Sequence, residues 1–234
     1  VEYKAGRQKG PDEVRSQSSL IFEVLDALRI PRLSVAGYEA DDIIATLSVQ
    51  AAQAGMETLI VTGDRDAFQL VNDDVTILYP VRGVSELARM DPAAVEAKYG
   101  VPPERYRELA ALVGETSDNL PGVPGVGPKT AAKWLTKYGD LDTLVARVDE
   151  IKGKAGDNLR EHLAQVLRNH QINKLDCEVA LDVAPQQLTM GQWDREEIHT
   201  LFDSLQFRVL RERLYSTLSA AEPEADEGFD VQLD

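Results

Sequence analysis

The chain has 234 residues, of which 43% are hydrophobic and 28% are charged, a balance that suits one globular domain or two closely joined lobes. Its single cysteine excludes an internal disulfide, and no apolar run approaches the roughly 18 residues that a membrane span requires. We therefore expect a soluble, cytoplasmic protein without membrane partners.

The net charge of −15 disfavours nucleic-acid binding unless the charge is unevenly distributed. Residues 222–234 contain six acidic residues and no basic one, so much of the excess lies in a tail. The chain opens at Val1, without methionine, in a polar and basic stretch. From these two ends we expect further sequence both upstream and downstream.

Hydrophobic periodicity predicts an α/β pattern in the first half of the chain. The expected elements are a helix from Pro11 to Leu28, a strand at 33–35, a helix from Glu39 to a stop at Gly55, a central parallel strand at 58–62, a short helix at 64–71, a strand at 75–79 and a turn at Gly83. Such alternation favours a mostly parallel sheet flanked by helices.

From Asp91 onward the sequence is typical of helices with almost no strands. Helices are expected at 92–99, 103–113, 129–138, 141–148, 159–173, 194–205 and 207–218. We therefore divide the chain into an α/β core at 1–113, a helical lobe at 114–218 and an acidic linker at 219–234.

Three clusters of acidic residues follow strands or helices. Their members are Glu39, Asp41 and Asp42, then Asp64 and Asp66, then Glu115 and Asp118. Each cluster alone is explained by helix capping or by a polar turn. The second cluster lies at the carboxyl end of the predicted central strand, where open α/β sheets bind ligands.

Together, acids converging on one sheet edge would repel one another unless cations lie among them. Hard oxygen ligands suit Mg²⁺ or Mn²⁺, and two such ions about 4 Å apart can stabilise both the attacking and the leaving oxygen of a phosphate displacement. The sequence therefore predicts a two-ion centre for phosphodiester hydrolysis.

A glycine-rich segment at 120–133 predicts a backbone grip on DNA. Gly122, Gly125 and Gly127 allow close approach, and a helix then opens at Pro128 with its N–H groups free to bind phosphate. Lys129, Thr130 and Lys133 can add contacts to the sugar–phosphate backbone without base specificity. A tight turn without a ligand is the alternative. The spacing does not match an ATP-binding Walker loop.

With Tyr-Lys-Ala-Gly-Arg at 3–7, Glu-Ala-Asp-Asp at 39–42, Thr-Gly-Asp-Arg-Asp at 62–66 and Ser-Asp-Asn-Leu-Pro-Gly-Val-Pro-Gly-Val-Gly at 117–127, residues 1–218 closely resemble the 5′ nuclease domains of bacterial DNA polymerase I, which belong to the flap endonuclease family. The resemblance implies a PIN-like or resolvase-like α/β nuclease core, a helical lobe with a helix-hairpin-helix-like element, and cleavage of DNA at 5′ flaps and nicks in primer removal and repair.

The resemblance also implies a role for each matched residue. Glu39, Asp41 and Asp42 would serve the first ion, Asp64 both ions, and Asp66 and Asp118 the second, with K⁺ bound at the glycine loop. Tyr3, Lys4 and Arg7 would belong to the base of a helical arch for the 5′ strand, with Lys4, Arg7 and Asp64 catalytic. Polymerase domains would follow in the same chain, and the protein would act as a monomer.

Two departures from the family pattern leave alternatives open. Glu115 stands where bacterial members commonly have Asp, and two upstream strands that each carry a metal-site Asp are not in this chain. A catalytically incomplete DNA-binding module is therefore one rival hypothesis. An RNA-cleaving nuclease is another, and RNA primers remain candidate substrates.

Overall fold

The computed structural model describes residues 3–4 and 12–219, with the side chains of 12–16 and 219 left out. The chain divides into two compact units, which we describe separately: residues 1–9 with 33–188, and residues 10–32 with 189–234. The predicted functional division after residue 113 stays a prediction. None of the described helices is long and apolar enough to cross a membrane.

Among its described residues, the first unit combines a three-stranded and a two-stranded sheet with six α-helices. Its helices are α2 (Ala40–Gln53), α3 (Pro92–Tyr99), α4 (Tyr106–Val113), α5 (Pro128–Tyr138), α6 (Leu141–Ala146) and α7 (Lys154–Ile172). Its strands are β1 (Thr58–Val61), β2 (Val75–Arg82), β3 (Glu86–Met90), β4 (Gly114–Glu115) and β5 (Leu120–Pro121). The second unit contains α1 (Asp12–Ala27), α8 (Arg195–Ser204) and α9 (Arg208–Ser219).

The main sheet has the strand order β1-β2-β3, with β1 parallel to β2 and β3 antiparallel to β2. Strand β3 was not predicted, because the charged residues of Glu86–Met90 obscure the two-residue alternation of a strand. A turn at Gly83, whose φ is +55°, joins the antiparallel pair. The expected α/β class with a helical lobe is confirmed, in a mixed sheet.

Two strand predictions were wrong. Residues 33–35 form no strand, because no described strand pairs with them. Strand β1 lies at an edge of the described sheet rather than at its centre, and Leu59 and Val61 are 57% and 60% exposed. Their apolar character predicted a strand buried on both faces, but within the described residues β1 is paired on one side alone.

A continuous hydrophobic core joins the sheet to the helices of the first unit. Phe68, Ile77 and Leu112 are completely buried in it, together with side chains from α5, α6 and α7. The segment predicted as a helix at 64–71 is a 3-10 helix at Asp66–Leu70. Its Phe68 packs into the core and thereby fixes the position of the acidic segment just before it.

In the second unit, α1 and α8 pack through a small core of their own. Ala27, Leu28, Ile198 and Phe202 are buried there. An ion pair between Arg29 and Glu197, with an N–O distance of 2.8 Å, joins the same two segments.

Candidate metal centre and nucleic-acid interface

The first acidic cluster lies at the N-terminus of α2. Glu39 is the N-cap residue, and Asp41 and Asp42 lie in the first turn, where the helix dipole favours negative charge. Both carboxylate oxygens of Asp42 accept backbone hydrogen bonds, from Glu39 at 3.2 Å and from Asp176 at 2.9 Å. Asp42 therefore caps the helix and also holds the segment that follows α7.

The second cluster follows directly after β1. The backbone N–H of Asp64 donates to Thr62 Oγ1 at 3.0 Å, and Asp64 Oδ1 in turn accepts the N–H of Asp66 at 3.0 Å. This tight turn starts the 3-10 helix and carries Asp66 into the interior, where it is only 9% exposed. Both carboxylates lie at the carboxyl end of a parallel strand, as expected.

The third cluster is formed by a small hairpin that the sequence did not predict. Strand β4 pairs with β5 in antiparallel fashion, and the loop between them brings Asp118 back beside Glu115. The pairing requires glycine at two positions: a Cβ on Gly114 would lie 2.1 Å from the nitrogen of Gly122, and one on Gly122 would lie 1.9 Å from the carbonyl oxygen of Val113.

These three clusters meet at one cavity of about 220 Å³, which we call the acidic pocket. Its acidic lining residues are Glu39, Asp41, Asp42, Asp64, Asp66 and Asp118. Glu115 lies beside it: one carboxylate oxygen each from Asp66, Glu115 and Asp118 fall within 4.8 Å of one another. The structure thus brings together all seven acidic residues that the sequence singled out, although their individual roles stay predictions.

Crowding of these carboxylates perturbs their protonation. Burial, followed by the charges of Glu115 and Asp64, raises the pKa of Asp66 to about 8. Burial also raises the pKa of Glu115, although its hydrogen bond with Asp66 opposes the shift. Asp41, which also lines the pocket, has its pKa raised by burial and by the charge of Asp64. Without a cation, burial and crowding therefore favour the protonated forms of Asp66 and Glu115.

The donor set fits a hard divalent cation. Asp66 Oδ1 is buried and has no hydrogen-bond partner among the residues that the structure describes. An unsatisfied buried carboxylate oxygen is costly, whereas an oxygen ligand to Mg²⁺ or Mn²⁺ at that position would be satisfied. Glu115 is oriented by Asn173, whose Nδ2 donates to its Oε2 at 3.2 Å. Its longer side chain therefore still reaches the cluster.

Tyr3 and Lys4 also line the acidic pocket. The Lys4 ammonium forms an ion pair with Glu39, and its backbone N–H donates to the Asp118 carbonyl at 3.0 Å. Partial burial acts to lower the pKa of Lys4, but hydrogen bonds to Glu39 and Tyr3 outweigh it, so the pKa is raised. Lys4 is therefore a fixed positive charge at the acidic pocket. Arg7, predicted to act beside it, lies outside the described residues.

The glycine-rich segment leads from β5 into α5. Gly125 has a φ of +78°, and Gly127 is the N-cap residue of α5, with Pro128 as the first helical residue. Lys129 and Lys133 are exposed one helical turn apart, and Thr130 is half-buried. The exposed helix N-terminus and the two lysines suit a phosphate backbone. Gly122 is also required by the hairpin, because a Cβ there would meet the backbone of Val113, and its role in binding DNA stays a prediction.

Helix α7 holds the glycine-rich segment in place through amide side chains that the sequence analysis missed. Asn158 donates to the Pro124 carbonyl at 2.7 Å, while Gln165 and Asn169 donate to the Pro121 carbonyl at 2.6 and 2.9 Å. Amide side chains along a predicted helix do not reveal in the sequence that they bind the backbone of a distant loop. These hydrogen bonds fix the carbonyl groups of the loop but do not test whether K⁺ binds there, so the K⁺ site stays a prediction.

Two cationic side chains at the cavities were also missed. Lys174 lines the acidic pocket just beyond α7, and Arg65 lines the larger neighbouring cavity. Arg65 stands between two acids in the sequence, which could have drawn attention to it. Lys174 lies in a loop without a motif, so nothing in the sequence indicated its position.

Comparison with known proteins identifies the family of the chain. The N-terminal resolvase-like domain of 5′-3′ exonucleases matches residues 1–100, and their C-terminal SAM fold matches residues 101–196. DNA polymerase I of Mycobacterium tuberculosis is 57% identical over 232 residues, which are 99% of this chain and 26% of that protein. DNA polymerase I of Bacillus caldotenax is 39% identical over 222 residues, covering 94% and 25%.

Solved structures show the same fold. The bacteriophage T5 D15 flap endonuclease, in a complex with DNA and metal ions, superposes with a TM-score of 0.63 at 20% identity, covering 86% of this chain and 77% of that chain. The catalytic core of Rad2, in complex with a DNA substrate, gives a TM-score of 0.55 at 18% identity, covering 92% and 72%.

The chain spans about a quarter of the length of the curated relatives that it matches. Two consecutive domain matches cover residues 1–196, and the acidic pocket is lined by residues of both. The chain belongs to the 5′-3′ exonuclease family and corresponds to the 5′ nuclease region of bacterial DNA polymerase I.

Proposed function

We propose that this chain hydrolyses DNA phosphodiester bonds at 5′ flaps and nicked 5′ ends, in primer removal and repair, as the nuclease part of a protein whose polymerase domains follow in the same chain. The single observation that carries the proposal is the convergence of six acidic side chains from three separate segments on one small pocket. The T5 and Rad2 structures, which contain DNA, support a DNA substrate.

The acidic residues would hold two Mg²⁺ or Mn²⁺ ions. Asp66, Glu115 and Asp118 are close enough to share one of them, and Asp41 and Asp64, whose charges interact, would hold the other. Divalent ions bound there would supply Lewis-acid stabilisation of phosphoryl oxygens and a water of lowered pKa. Asp42 would act mainly through position, because both of its oxygens are engaged by backbone N–H groups.

The remaining residues of the site would position the substrate and balance its charge. Lys4 stays protonated beside Glu39 and would stabilise the negative charge that develops on the phosphate. The N-terminus of α5 and Lys129 and Lys133 would hold the duplex by its backbone, which gives affinity without sequence preference. Such a grip selects for the form of the substrate rather than its bases.

The test is the substitution Asp64→Asn in the full-length native protein. It removes a charge from the acidic pocket with little change of shape, so Mg²⁺-dependent cleavage of a labelled 5′ flap should fall by about 100-fold or more. Flap affinity, measured in Ca²⁺, should change little. Cleavage at the normal rate would refute the proposed centre.

Asp73→Asn is the matched control, because Asp73 is exposed and lines neither cavity described here. It should cleave like the unaltered protein. Parallel assays with DNA flaps and RNA flaps decide which of the two nucleic acids is cleaved preferentially. A protein that shifts the flap in a gel but cuts neither strand, with any divalent ion, would be a binding module rather than a nuclease.

A further inference from the structure

A second cavity, of about 670 Å³, adjoins the acidic pocket and shares Asp64 and Asp118 with it. We call it the tyrosine pocket, because its walls include the side chains of Tyr79, Tyr99 and Tyr106. The pocket also reaches Pro128, the first residue of α5. It therefore connects the proposed centre of cleavage with the proposed grip on the DNA backbone.

Arg65 supplies the cationic charge in the described wall of the tyrosine pocket. Its Nε donates to the Tyr79 hydroxyl at 3.4 Å, a long hydrogen bond, and the described residues offer its guanidinium no ion pair within 4.0 Å. The side chain is exposed. A guanidinium has five N–H donors in a planar fork, so most of its donors remain available for a ligand.

Tyr79 offers its hydroxyl group to the cavity, while the rings of the three tyrosines already have neighbours on their surfaces. Lys98 lies over the rings of Tyr79 and Tyr99, with its Nζ 5.1 and 5.5 Å from the ring centroids. Phe68 packs against the rings of Tyr79, Tyr99 and Tyr106, with centroid distances of 5.5, 5.3 and 5.3 Å. These contacts occupy ring surface that a nucleobase would need for stacking.

Hydroxyl and guanidinium donors suit an anion with several acceptor oxygens. The carboxylates of Asp64, Glu115 and Asp118, which also line this cavity, would repel it unless the proposed divalent ions offset their charge. A DNA strand carries a phosphate at every nucleotide, so a strand whose cleaved bond lies at the acidic pocket brings a neighbouring phosphate close by. Resting on the proposed function, we propose that Arg65 and the Tyr79 hydroxyl bind a phosphate adjacent to the one that is cleaved. The tyrosine pocket is then a subsite that sets the register of the strand.

The test is a charge scan of the substrate with the full-length native protein. A series of 5′ flaps carries one neutral methylphosphonate in place of one phosphate, at each linkage near the cleaved bond. Binding is measured in Ca²⁺ and cleavage in Mg²⁺. For the unaltered protein, neutralising the phosphate that occupies the tyrosine pocket should weaken binding about tenfold or more.

Arg65→Gln should weaken binding of the natural flap by a similar factor and make the protein insensitive to the neutral linkage at that one position. Tyr79→Phe should give a smaller loss at the same position, and Arg65→Lys should restore part of the affinity. Lys98→Gln is the matched control: it removes a cation from the same rings, but Lys98 does not line the pocket. Its scan should equal that of the unaltered protein.

The proposal would be overturned if Arg65→Gln gave the same scan as the unaltered protein. It would also be overturned if the loss of affinity in Arg65→Gln added to the loss from a neutral linkage at every position, the predicted one included. Flaps that lack one base but keep every phosphate provide a second comparison. If such a flap, rather than one with a neutral linkage, reproduced the loss of affinity of Arg65→Gln, the proposal would be overturned and the pocket would be assigned to a nucleobase. Failure of the nuclease proposal itself appears differently: the unaltered protein would not cut the natural flap, while the Ca²⁺ binding scan would still report on the phosphate contact.

Discussion

Replacement of Asp66 by asparagine tests how much the crowded carboxylates cost the metal-free protein. The pKa of Asp66 rises from its ordinary value of 3.8 to about 8, because the carboxyl is buried beside Glu115 and Asp64. The folded state therefore binds the Asp66 proton more tightly than the unfolded state does. In the metal-free protein, the free energy of unfolding should fall as pH rises from about 4 to about 8.

The size of this effect follows from the pKa. Each pKa unit corresponds to about 1.4 kcal/mol, so the ionised carboxylate costs at most on the order of 5 kcal/mol above pH 8. Asp66→Asn keeps the shape and removes the charge. We expect the metal-free variant to be more stable than the unaltered protein by at least about 2 kcal/mol at pH 9 and to match it near pH 4.

Urea unfolding in EDTA, at pH values from 4 to 9, measures the difference directly. Addition of Mg²⁺ at pH 8 should then stabilise the unaltered protein more than Asp66→Asn, because the variant has lost a ligand of one of the two proposed ions. Two results would refute the reasoning: a stability difference that does not depend on pH, or a variant that is less stable than the unaltered protein at pH 9 without metal.

Three further predictions concern the packing and the DNA grip. Gly122→Ala should lower the free energy of unfolding by about 2 kcal/mol or more, because the added Cβ would lie 1.9 Å from a backbone oxygen. Gly127→Ala should lower it by less than about 1 kcal/mol, because a Cβ at Gly127 would have no atom within 4 Å. Urea unfolding measures both variants. In the same assay Glu108→Ala should lower the free energy of unfolding by about 2 kcal/mol. The buried backbone N–H of Leu141, at the start of α6, donates to Glu108 Oε2 at 3.1 Å and would lose this partner. Replacing Lys129 and Lys133 by glutamine should reduce the slope of log affinity against log salt concentration by about 1 to 2, measured by fluorescence anisotropy with duplex DNA.

Each of these predictions has a clear contradiction. Equal unfolding free energies for the two glycine variants would mean that the β4–β5 hairpin relaxes around an extra methyl group. An undisturbed Glu108→Ala protein would show that the hydrogen bond to α6 contributes nothing. An unchanged salt slope would place the DNA backbone away from the N-terminus of α5.

Much of the site could be predicted from the sequence, because strand ends and helix starts put side chains at known places. Asp64 follows a run of apolar β-branched residues, so its place at the carboxyl end of β1 was foreseeable. Asp41 lies in the first turn of a helix with clear apolar periodicity. The structure confirms that these two segments meet at the acidic pocket.

What could not be predicted depends on contacts distant in the sequence. Nothing local to Asp42 indicates that the backbone of Asp176 donates to it, 134 positions away. Asn173 likewise reaches Glu115 across 58 positions. The two-residue strands β4 and β5 are too short to show any periodicity. Strand prediction at 33–35 failed because local propensity does not reveal whether a partner strand is present.

Anomalous diffraction from crystals soaked in Mn²⁺ tests the central claim most directly, since it locates divalent ions without relying on activity. We predict a Mn²⁺ peak within coordination distance of Asp66, Glu115 and Asp118, and a second peak beside Asp41 and Asp64. Crystals of Asp66→Asn should lose the first peak. Mn²⁺ that binds elsewhere on the protein, with the acidic pocket empty at saturating concentration, would contradict the account.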